Sequence, residues 1–383
     1  MLLGELQVKG HFMNVVILCR KLDGKPLTGF ERYAHNLIEG LEKTETKITL
    51  PSQHGFFNVR PSGSLMSPPY YDIIHPICAL ISGKAKGDVY HALTDAQAAI
   101  FPLVRGKKIV TMHHVDKTPP IGIKEKIFRS FYAFGTKMSI KHADVIICIS
   151  EQTREEVKEA YDVEDDRLAV IPHAVGENFC VMPDVPKEPV VGYVGALKNR
   201  KNLEFLIRTA AEYTKRYPEE NLKFSICGEG PERQRLLDLR ESLGMNDVVE
   251  FRGRVADEDI VRTYNSFTLF CLPSFQEGFG FPVIEAESCG VPVLTLKGAM
   301  MPQEVVTAAT ECTDEKDMAE KIHTLLTDNE AYQRAMAKGM EHASLYTVKR
   351  MVEETEKIYK KVMEPNVHSS EVQAETPEAG CLP

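Results

Sequence analysis

Short runs rich in valine, isoleucine and leucine recur along this chain in two successive series, with helical patterns between them. The predicted strands are 14–20, 46–51, 88–93, 108–113, 145–150 and 168–172, and then 190–195, 223–227, 248–252, 268–273 and 292–296. Continuous apolar strands that alternate with helices are typical of parallel sheets covered on both faces. The pattern therefore predicts an α/β protein with two doubly wound, Rossmann-like domains that face each other across a cleft.

The boundaries of these domains follow from a segment with little pattern around 178–189, in which three prolines fall within seven residues. Such a segment is typical of a linker. We predict an N-terminal extension at 1–12, a first domain at 13–180 and a second domain at 181–346. The polar, aperiodic residues 365–383 are predicted to form a disordered tail.

Composition excludes several classes of protein. A formal net charge of −9 argues against a nucleic-acid partner. The nine cysteines are scattered without a CxxC pair, which is typical of free thiols in a reducing compartment. No apolar run reaches the roughly 18 residues of a transmembrane helix, and no signal-peptide pattern is present. We therefore predict a cytoplasmic protein.

A predicted helix at 123–142 mixes aromatic residues with lysine and arginine. This mixture allows peripheral contact with the inner face of a membrane. A helix packed on its sheet is the alternative and the commoner case, and the sequence leaves both open.

Two carboxylates, Glu277 and Glu285, flank the segment Gly278-Phe279-Gly280-Phe281. Pro282 suits the first turn of a helix, so Glu277 should lie in the preceding loop and Glu285 about one turn inside the helix. The glycines permit close approach of a ligand, and a helix N-terminus suits a phosphate. Hydroxyl acceptors on either side of an anion site fit a nucleotide sugar.

Three cations, Lys198, Arg200 and Lys201, crowd the loop that follows the predicted strand 190–195 and opens onto a helix. Cations at a helix start oppose its dipole unless an anion is bound. Arginine and lysine both suit a diphosphate. A solvated basic loop is the alternative, but the position at a strand end favours binding.

The first domain offers Gly29, at a turn onto a helix N-terminus, and His113, at the end of the strand 108–113. Gly29 is compatible with an anion site or with a plain turn. His113 could hydrogen-bond a sugar hydroxyl from the cleft. The role of His114 stays open, and His173 is predicted to be structural.

Neither a metal nor a cofactor is predicted. Asp257 and Asp259 match a DxD pattern, but they stand where an acidic helix N-cap belongs, so we interpret them as capping residues. The segment 228–232, Gly-Glu-Gly-Pro-Glu, is not a GxGxxG dinucleotide fingerprint and is as compatible with a structural turn as with a ligand contact.

Several segments together resemble the retaining GT-B glycosyltransferases called glycosyl transferases group 1, or family 4. They are Gly-Tyr-Val-Gly at 192–195, Arg-Lys-Asn-Leu at 200–203, Gly-Glu-Gly-Pro at 228–231, Pro-Ser-Phe-Gln-Glu-Gly-Phe-Gly-Phe-Pro at 273–282, and Ile-Glu-Ala-Glu-Ser-Cys-Gly-Val-Pro at 284–292. The weaker Gly-Phe-Glu-Arg-Tyr and Thr-Met-His elements extend the resemblance to most of the chain.

The resemblance implies a GT-B fold and specific roles. The first domain would be the acceptor side, the second would bind the nucleotide sugar, and the helix within 347–364 would return to the first domain. Lys201 would bind the diphosphate, with Arg200 standing in for a cation that the family often carries where this chain has Ala196. Glu277 would lie near the transferred hexose with His113, and Glu285 would bind the ribose.

The resemblance further implies a hexosyltransferase that retains anomeric configuration, with a glycan, lipid-linked or small-molecule acceptor. The loop at 200–202 is similar to that of members that use GDP-mannose, which favours mannose. His114, Thr28 and Thr307 depart from the usual residues, which weakens the implication for the acceptor side. A non-catalytic nucleotide-sugar-binding subunit and a GT-B epimerase remain alternatives. A phosphorylase or a Rossmann oxidoreductase is disfavoured because their motifs are missing.

Overall fold

A computed structural model of the protein describes residues 13–19, 29–50, 77, 86–115 and 123–364. The predicted N-terminal extension 1–12 and the predicted tail 365–383 lie outside the described residues.

The first half of the described chain builds a parallel sheet of six strands in the order β2-β1-β3-β4-β5-β6. Its strands are β1 (Asn14–Leu18), β2 (Lys47–Thr49), β3 (Val89–Ala92), β4 (Lys107–Met112), β5 (Val145–Cys148) and β6 (Leu168–Val170). The helices are α1 (Gly29–Glu42), α2 (Ile123–His142) and α3 (Glu151–Tyr161), with 3-10 segments at Asp95–Leu103 and Asp165–Arg167.

The second half builds another parallel sheet of six described strands, in the order β12-β11-β10-β7-β8-β9. Its strands are β7 (Glu188–Val194), β8 (Lys223–Cys227), β9 (Val249–Gly253), β10 (Phe267–Leu272), β11 (Val293–Leu296) and β12 (Thr310–Cys312). Its helices are α4 (Leu203–Arg216), α5 (Arg233–Ser242), α6 (Ile260–Ser266), α7 (Phe281–Ser288), α8 (Gln303–Val306), α9 (Glu315–Thr327) and α10 (Asn329–Ala343), after a 3-10 turn at Asn199–Lys201.

These two sheets confirm the predicted α/β fold class. Successive side chains of a strand point to opposite faces of the sheet. In the strands of the first sheet these successive side chains are apolar, so both faces are apolar. In β1, Val15 and Ile17 pack into a core shared with α1, whereas Val16 and Leu18 pack into a second core on the other face. Covering helices on both faces therefore follow directly from an uninterrupted apolar strand.

The last described helix, α11 (Val348–Met363), contributes to the core of the first sheet and not the second. Val352 packs against α1, where its side chain comes close to Gly40. Tyr359 is fully buried, and its hydroxyl hydrogen-bonds His91 Nδ1 on β3 at 2.7 Å. Just before α11 the backbone N–H of Val175 donates to the carbonyl of Tyr346 at 2.9 Å, so two chain segments run side by side between the sheets.

Strand order reverses beside β1 in the first sheet and beside β7 in the second. In open parallel sheets the crevice at such a reversal, beyond the carboxyl ends of the strands, is where ligands bind. For the second sheet the flanking loops are those after β7 and β10, which carry Lys201 and Glu277. The topology alone therefore places these two side chains at one crevice.

Short elements escaped prediction. Strand β12, helix α8 and the 3-10 segment Asp95–Leu103 have no counterpart in the pattern analysis. Strand β12 reads Thr-Glu-Cys and has no apolar run, α8 spans only four residues, and the 3-10 segment contains Pro102.

Candidate functional site

The loop between β10 and α7 forms the centre of the candidate site. Gly280 occupies the N-cap position of α7 with a φ of 105°, a left-handed conformation that favours glycine, and Pro282 follows within the first turn. No hydrogen bond from the backbone N–H groups of residues 278–280 occurs among the described residues. The segment therefore presents backbone donors at a helix N-terminus, as an anion site requires.

Glu277 is the charge centre of this loop and is only 7% exposed. Its Oε1 accepts from Lys201 Nζ at 2.5 Å and from the Ser274 hydroxyl at 2.6 Å, while its Oε2 accepts from Arg200 Nη1 at 3.1 Å. The same Arg200 nitrogen donates to the carbonyl of Gln276 at 2.8 Å. One carboxylate thus holds both cations of the preceding loop against the helix start.

Lys201 reaches Glu277 because the chain after β7 makes a 3-10 turn and then enters α4 through Asn202, whose φ of 52° is left-handed. The Lys201 side chain is buried, and burial lowers its pKa below the usual lysine value although the Glu277 carboxylate opposes this shift. Arg200 stays about half exposed. The two cations therefore differ: one is fixed and desolvated, and the other faces solvent.

The segment 228–230 serves packing. A Cβ at Gly228 would lie 1.8 Å from the carbonyl oxygen of Gly195, and one at Gly230 would lie 2.3 Å from that of Leu197. The Leu197 N–H also donates to the Glu229 carbonyl at 3.0 Å. These glycines let the loops after β7 and β8 touch, so the structural-turn alternative accounts for them without a ligand.

Glu285 lies inside α7 and is 3% exposed. Its Oε2 accepts from the buried Tyr264 hydroxyl at 2.6 Å. Its Oε1 accepts from Arg32 Nη1, and Arg32 belongs to α1, which covers the first sheet. The carboxylate predicted to bind the ribose is therefore an ion-pair partner of the opposite domain.

The described first-domain side of the crevice includes His113. Its Nε2 lies 2.8 Å from the carbonyl of Leu93, which can only accept, so Nε2 carries the proton. Burial lowers the pKa of His113 to about 4, and its neutral ring leaves Nδ1 as an acceptor for His173 Nε2 at 3.2 Å. Both ring nitrogens of His113 thus have protein partners.

His173 closes this chain of hydrogen bonds. Because its Nε2 donates to His113, its Nδ1 must be an acceptor, and that buried atom has no hydrogen-bond partner within the described residues. The ring stacks on Phe281 with centroids 5.2 Å apart and meets Phe279 edge-on at 5.0 Å. His173 therefore joins the first-domain histidine to the two aromatic residues of the second-domain loop.

Gly29 lies at the first residue of α1, directly opposite this loop. A Cβ there would come within 3.1 Å of the Phe281 ring, so the helix start and the aromatic ring are already in close approach. Gly29 and Phe281 therefore face each other across the crevice, and their roles toward a substrate, like that of His113, stay predictions.

The capping interpretation of the acidic pair is wrong. Helix α6 begins at Ile260, and Asp259 occupies its N-cap position in a helical conformation without a side-chain hydrogen bond to the helix. A capping side chain needs an extended backbone, which Asp259 lacks. Asp257 lies two residues further out, in a turn. Among the described residues no group of three or more His, Cys, Asp or Glu side chains is arranged to hold a metal ion.

Within the described residues, no helix has the length and apolar character needed to cross a bilayer. In α2, Phe134 is 50% exposed and the neighbouring Lys137 is also exposed. Membrane contact through this helix stays a prediction.

The structure brings all of the predicted second-domain residues together around the start of α7. Three contributors were not predicted: Ser274, Tyr264 and Arg32. Ser274 and Arg32 stand within segments that the sequence analysis had singled out, but no spacing rule links Arg32 to a carboxylate some 250 positions away. Tyr264 lies in a helix with no distinguishing signal.

Two family matches cover most of the chain. Residues 177–342 match Glycosyl transferases group 1, and residues 27–178 match Glycosyltransferase Family 4. Each half of the chain therefore matches a glycosyltransferase family. The family resemblance drawn from the motifs is thereby confirmed.

Relatives and solved structures agree with this assignment. The serotype-specific mannosyltransferase WbdA of Escherichia coli is 30% identical over 240 residues, which are 57% of this chain and 29% of that protein. The D-inositol 3-phosphate glycosyltransferase of Mycobacterium sp. (strain JLS) is 27% identical over 336 residues, covering 82% of this chain and 72% of that protein. The chain spans less than a third of the length of the mannosyltransferases it matches.

The crystal structure of HepE from Anabaena in complex with UDP and glucose superposes with a TM-score of 0.68 at 17% identity, over 91% of this chain and all of that one. At this identity the likeness shows a shared fold. The GT-B fold expected from the resemblance is confirmed.

Proposed function

We propose that this protein is a retaining hexosyltransferase that moves a sugar from a nucleoside diphosphate to a glycan, lipid-linked or small-molecule acceptor. The observation that carries the proposal is the convergence of Lys201 and Arg200 on Glu277 beside the N-terminus of α7. Two cations share one carboxylate, which leaves one positive charge for an anion next to unpaired backbone donors.

In glycosyl transfer the largest electrostatic need is to stabilise the charge that develops on the departing diphosphate. Lys201, held at 2.5 Å by Glu277, is fixed before the reaction and needs no reorganisation. Arg200 can supply a second, more mobile contact. Because protein cations and a helix terminus can supply this stabilisation, we propose that the reaction needs no metal ion.

The two carboxylates have different roles in this proposal. Glu277 positions both cations and accepts a hydrogen bond from the hexose, whereas Glu285 accepts from the ribose. Neither acts as a covalent nucleophile, so the acceptor attacks from the face the diphosphate leaves, and the diphosphate takes up its proton. Contacts such as Gly29 against Phe281 support a closed crevice, which favours transfer over hydrolysis by excluding water.

For the sugar donor we propose GDP-mannose. The similarity to serotype-specific mannosyltransferases supports mannose. UDP-glucose is the competing donor, because the neighbouring structure HepE holds UDP and glucose. Action in the cytoplasm, with peripheral contact to a membrane through α2, completes the proposal; the exposed Phe134 beside Lys137 supports it.

The test is a thermal-shift screen against GDP-mannose, UDP-glucose and ADP-glucose, followed by a transfer assay with the sugar that stabilises the protein most. We expect Lys201→Ala to abolish most transfer, and Lys215→Ala, which removes an exposed lysine from α4, to retain it. Stabilisation by none of the three donors, or wild-type transfer by Lys201→Ala, would contradict the proposal.

A non-catalytic nucleotide-sugar-binding subunit is the second candidate. The observation that favours it is the full engagement of both His113 nitrogens by Leu93 and His173, which leaves neither nitrogen for a substrate. The same experiment separates the two candidates, since a non-catalytic subunit binds the sugar donor without forming product with any acceptor. An epimerase would convert the nucleotide sugar in the absence of acceptor.

A further inference from the structure

Arg32 is a first-domain side chain that reaches the nucleotide side of the crevice. It is the fourth residue of α1, and its Nη1 donates to Glu285 Oε1. The guanidinium is partly exposed, with 39% of the side chain accessible, while the carboxylate it contacts is 3% accessible. The contact therefore joins a solvent-facing cation of one domain to a buried anion of the other.

Glu285 retains acceptor capacity in this arrangement. A carboxylate offers about four lone-pair positions. Tyr264 uses one on Oε2 and Arg32 uses one on Oε1. About two positions remain, one on each oxygen, which is the number that a pair of ribose hydroxyls would occupy.

Arg32 likewise retains donor capacity. A guanidinium has five N–H groups in a fixed fork. The bond to Glu285 uses one of them, and Arg32 makes no other hydrogen bond or ion pair within the described residues. A hydroxyl placed beside this contact could donate to the carboxylate and accept from a free N–H of the guanidinium at the same time.

A cavity of about 370 Å³ adjoins both groups. It is bordered by α1 on one side and by Asp257, Ile260 and Phe281 on the other, so both domains line it. Ligand pockets of about 300 Å³ and above accept small organic molecules. There is thus room for a nucleoside next to the Arg32–Glu285 pair.

We propose that Arg32 binds the sugar donor together with Glu285, forming a clamp on the ribose that exists only when the two domains are in contact. The inference rests on the proposed function and extends it, because it makes nucleotide affinity depend on a residue of the acceptor-side domain. Among the contacts of the described residues, the buried Glu285 without Arg32 keeps the Tyr264 hydrogen bond alone and loses the partner that fixes its direction.

The experiment measures the affinity of purified full-length protein for GDP, UDP and ADP by isothermal titration calorimetry. Variants are Arg32→Ala, Arg32→Lys and the control Arg334→Ala, which removes an exposed arginine that pairs with Glu330 at 3.1 Å on α10. For the nucleotide that binds best we expect Arg32→Ala to raise the Kd about 10- to 100-fold, because the ribose loses a charge-assisted contact. Arg32→Lys should restore part of the loss, and Arg334→Ala should bind as wild type does.

A second arm tests the ribose directly with the 2′,3′-dideoxy form of the same nucleotide. If Arg32 acts through the ribose, removing the hydroxyls weakens wild-type binding, and the loss is much smaller in Arg32→Ala. In transfer assays the KM for the sugar donor should rise more than the KM for the acceptor. A role in fold stability alone would instead lower the melting temperature and leave these ratios unchanged.

Three results would contradict the proposed clamp of Arg32 and Glu285. An unchanged Kd for Arg32→Ala, a tighter Kd that marks Arg32 as a competitor for Glu285, or additive effects of the variant and the dideoxy nucleotide would overturn the clamp. If Arg32→Ala does not fold, Arg32→Gln takes its place. Equal affinity of the wild-type protein for the nucleotide and its dideoxy form would refute the clamp without any variant. Wild-type protein that binds none of the three nucleotides refutes the proposed function instead.

Discussion

The ion pair of Lys201 and Glu277 allows a quantitative prediction about folding stability, because the two residues differ in the partners that remain when the other is removed. Lys201 is buried, and Glu277 is its charged partner at 2.5 Å. Glu277, in contrast, also has Arg200 at 3.1 Å and the Ser274 hydroxyl at 2.6 Å. Removing the carboxylate should therefore be costlier than removing the lysine.

The perturbations are Glu277→Gln and Lys201→Met, which keep the volume of each side chain. Glu277→Gln leaves the ammonium of Lys201 buried without a counter-charge, and this should lower the free energy of unfolding by about 3–5 kcal/mol. Lys201→Met leaves Glu277 with two partners, so the loss should be about 1.5–3 kcal/mol, in the range of one hydrogen bond to a charged group. The double variant should be more stable than Glu277→Gln alone.

The assay is urea denaturation of the three variants and wild type, followed by circular dichroism at pH 7.5 and pH 9.5. Burial lowers the pKa of Lys201, so raising the pH should let the isolated amine lose its proton and should shrink the loss seen in Glu277→Gln. Equal losses in the two single variants, or losses that simply add in the double variant, would refute the view that Glu277 balances a buried cation.

Three further predictions concern stability and catalysis. Burial lowers the pKa of His91 to about 3 and that of His113 to about 4, so below pH 6.5 the unfolded chain binds protons that the folded chain does not. Each histidine should therefore reduce the free energy of unfolding by about 1.4 kcal/mol per pH unit down to about pH 4. Equal urea midpoints at pH 7 and pH 5 would contradict this. Gly40→Ala should destabilise the protein by about 1–3 kcal/mol despite the better helix propensity of alanine, because the new Cβ would lie 2.5 Å from a methyl group of Val352. Thermal melts should show that adding Val352→Ala restores part of the stability. A Gly40→Ala protein more stable than wild type would show that α11 does not pack this closely. Finally, EDTA should leave the transfer rate of the purified enzyme unchanged, and a loss restored by a divalent cation would show that metal contributes to the reaction.

Much of the second-domain side of the site could be predicted from the sequence because its signals are local. Pro282 and the glycines around it define the start of α7 within a few residues, and this start separates a loop carboxylate from a helical one. Lys201 and Glu277 meet because strand ends that flank a reversal of strand order share one crevice. Such inferences need only the period of the strands and the direction of parallel sheets.

The contacts between the two halves could not be predicted in this way. Arg32 with Glu285, and Gly29 with Phe281, depend on how one sheet is oriented against the other, and no local pattern encodes that orientation. The pairing of His113 with His173 fails for a related reason, since it joins the ends of different strands. The acidic N-cap was mispredicted because residue type was read without backbone conformation, and Asp259 is helical where a cap must be extended.

The chain passes between the two sheets twice, at Val175 and at Tyr346–Thr347, and the passages are tied by a backbone hydrogen bond. A single connecting segment would let the two halves rotate about any axis and slide past each other. Two adjacent segments that are hydrogen-bonded to each other restrict this motion to rotation about one hinge axis. Opening of the crevice should therefore be a swing that separates its far edge and leaves the residues beside the hinge nearly stationary. Loss of α11 would remove the anchor of the second passage together with part of the first core, so a C-terminal deletion should disturb the geometry of a site whose charged residues all lie outside α11.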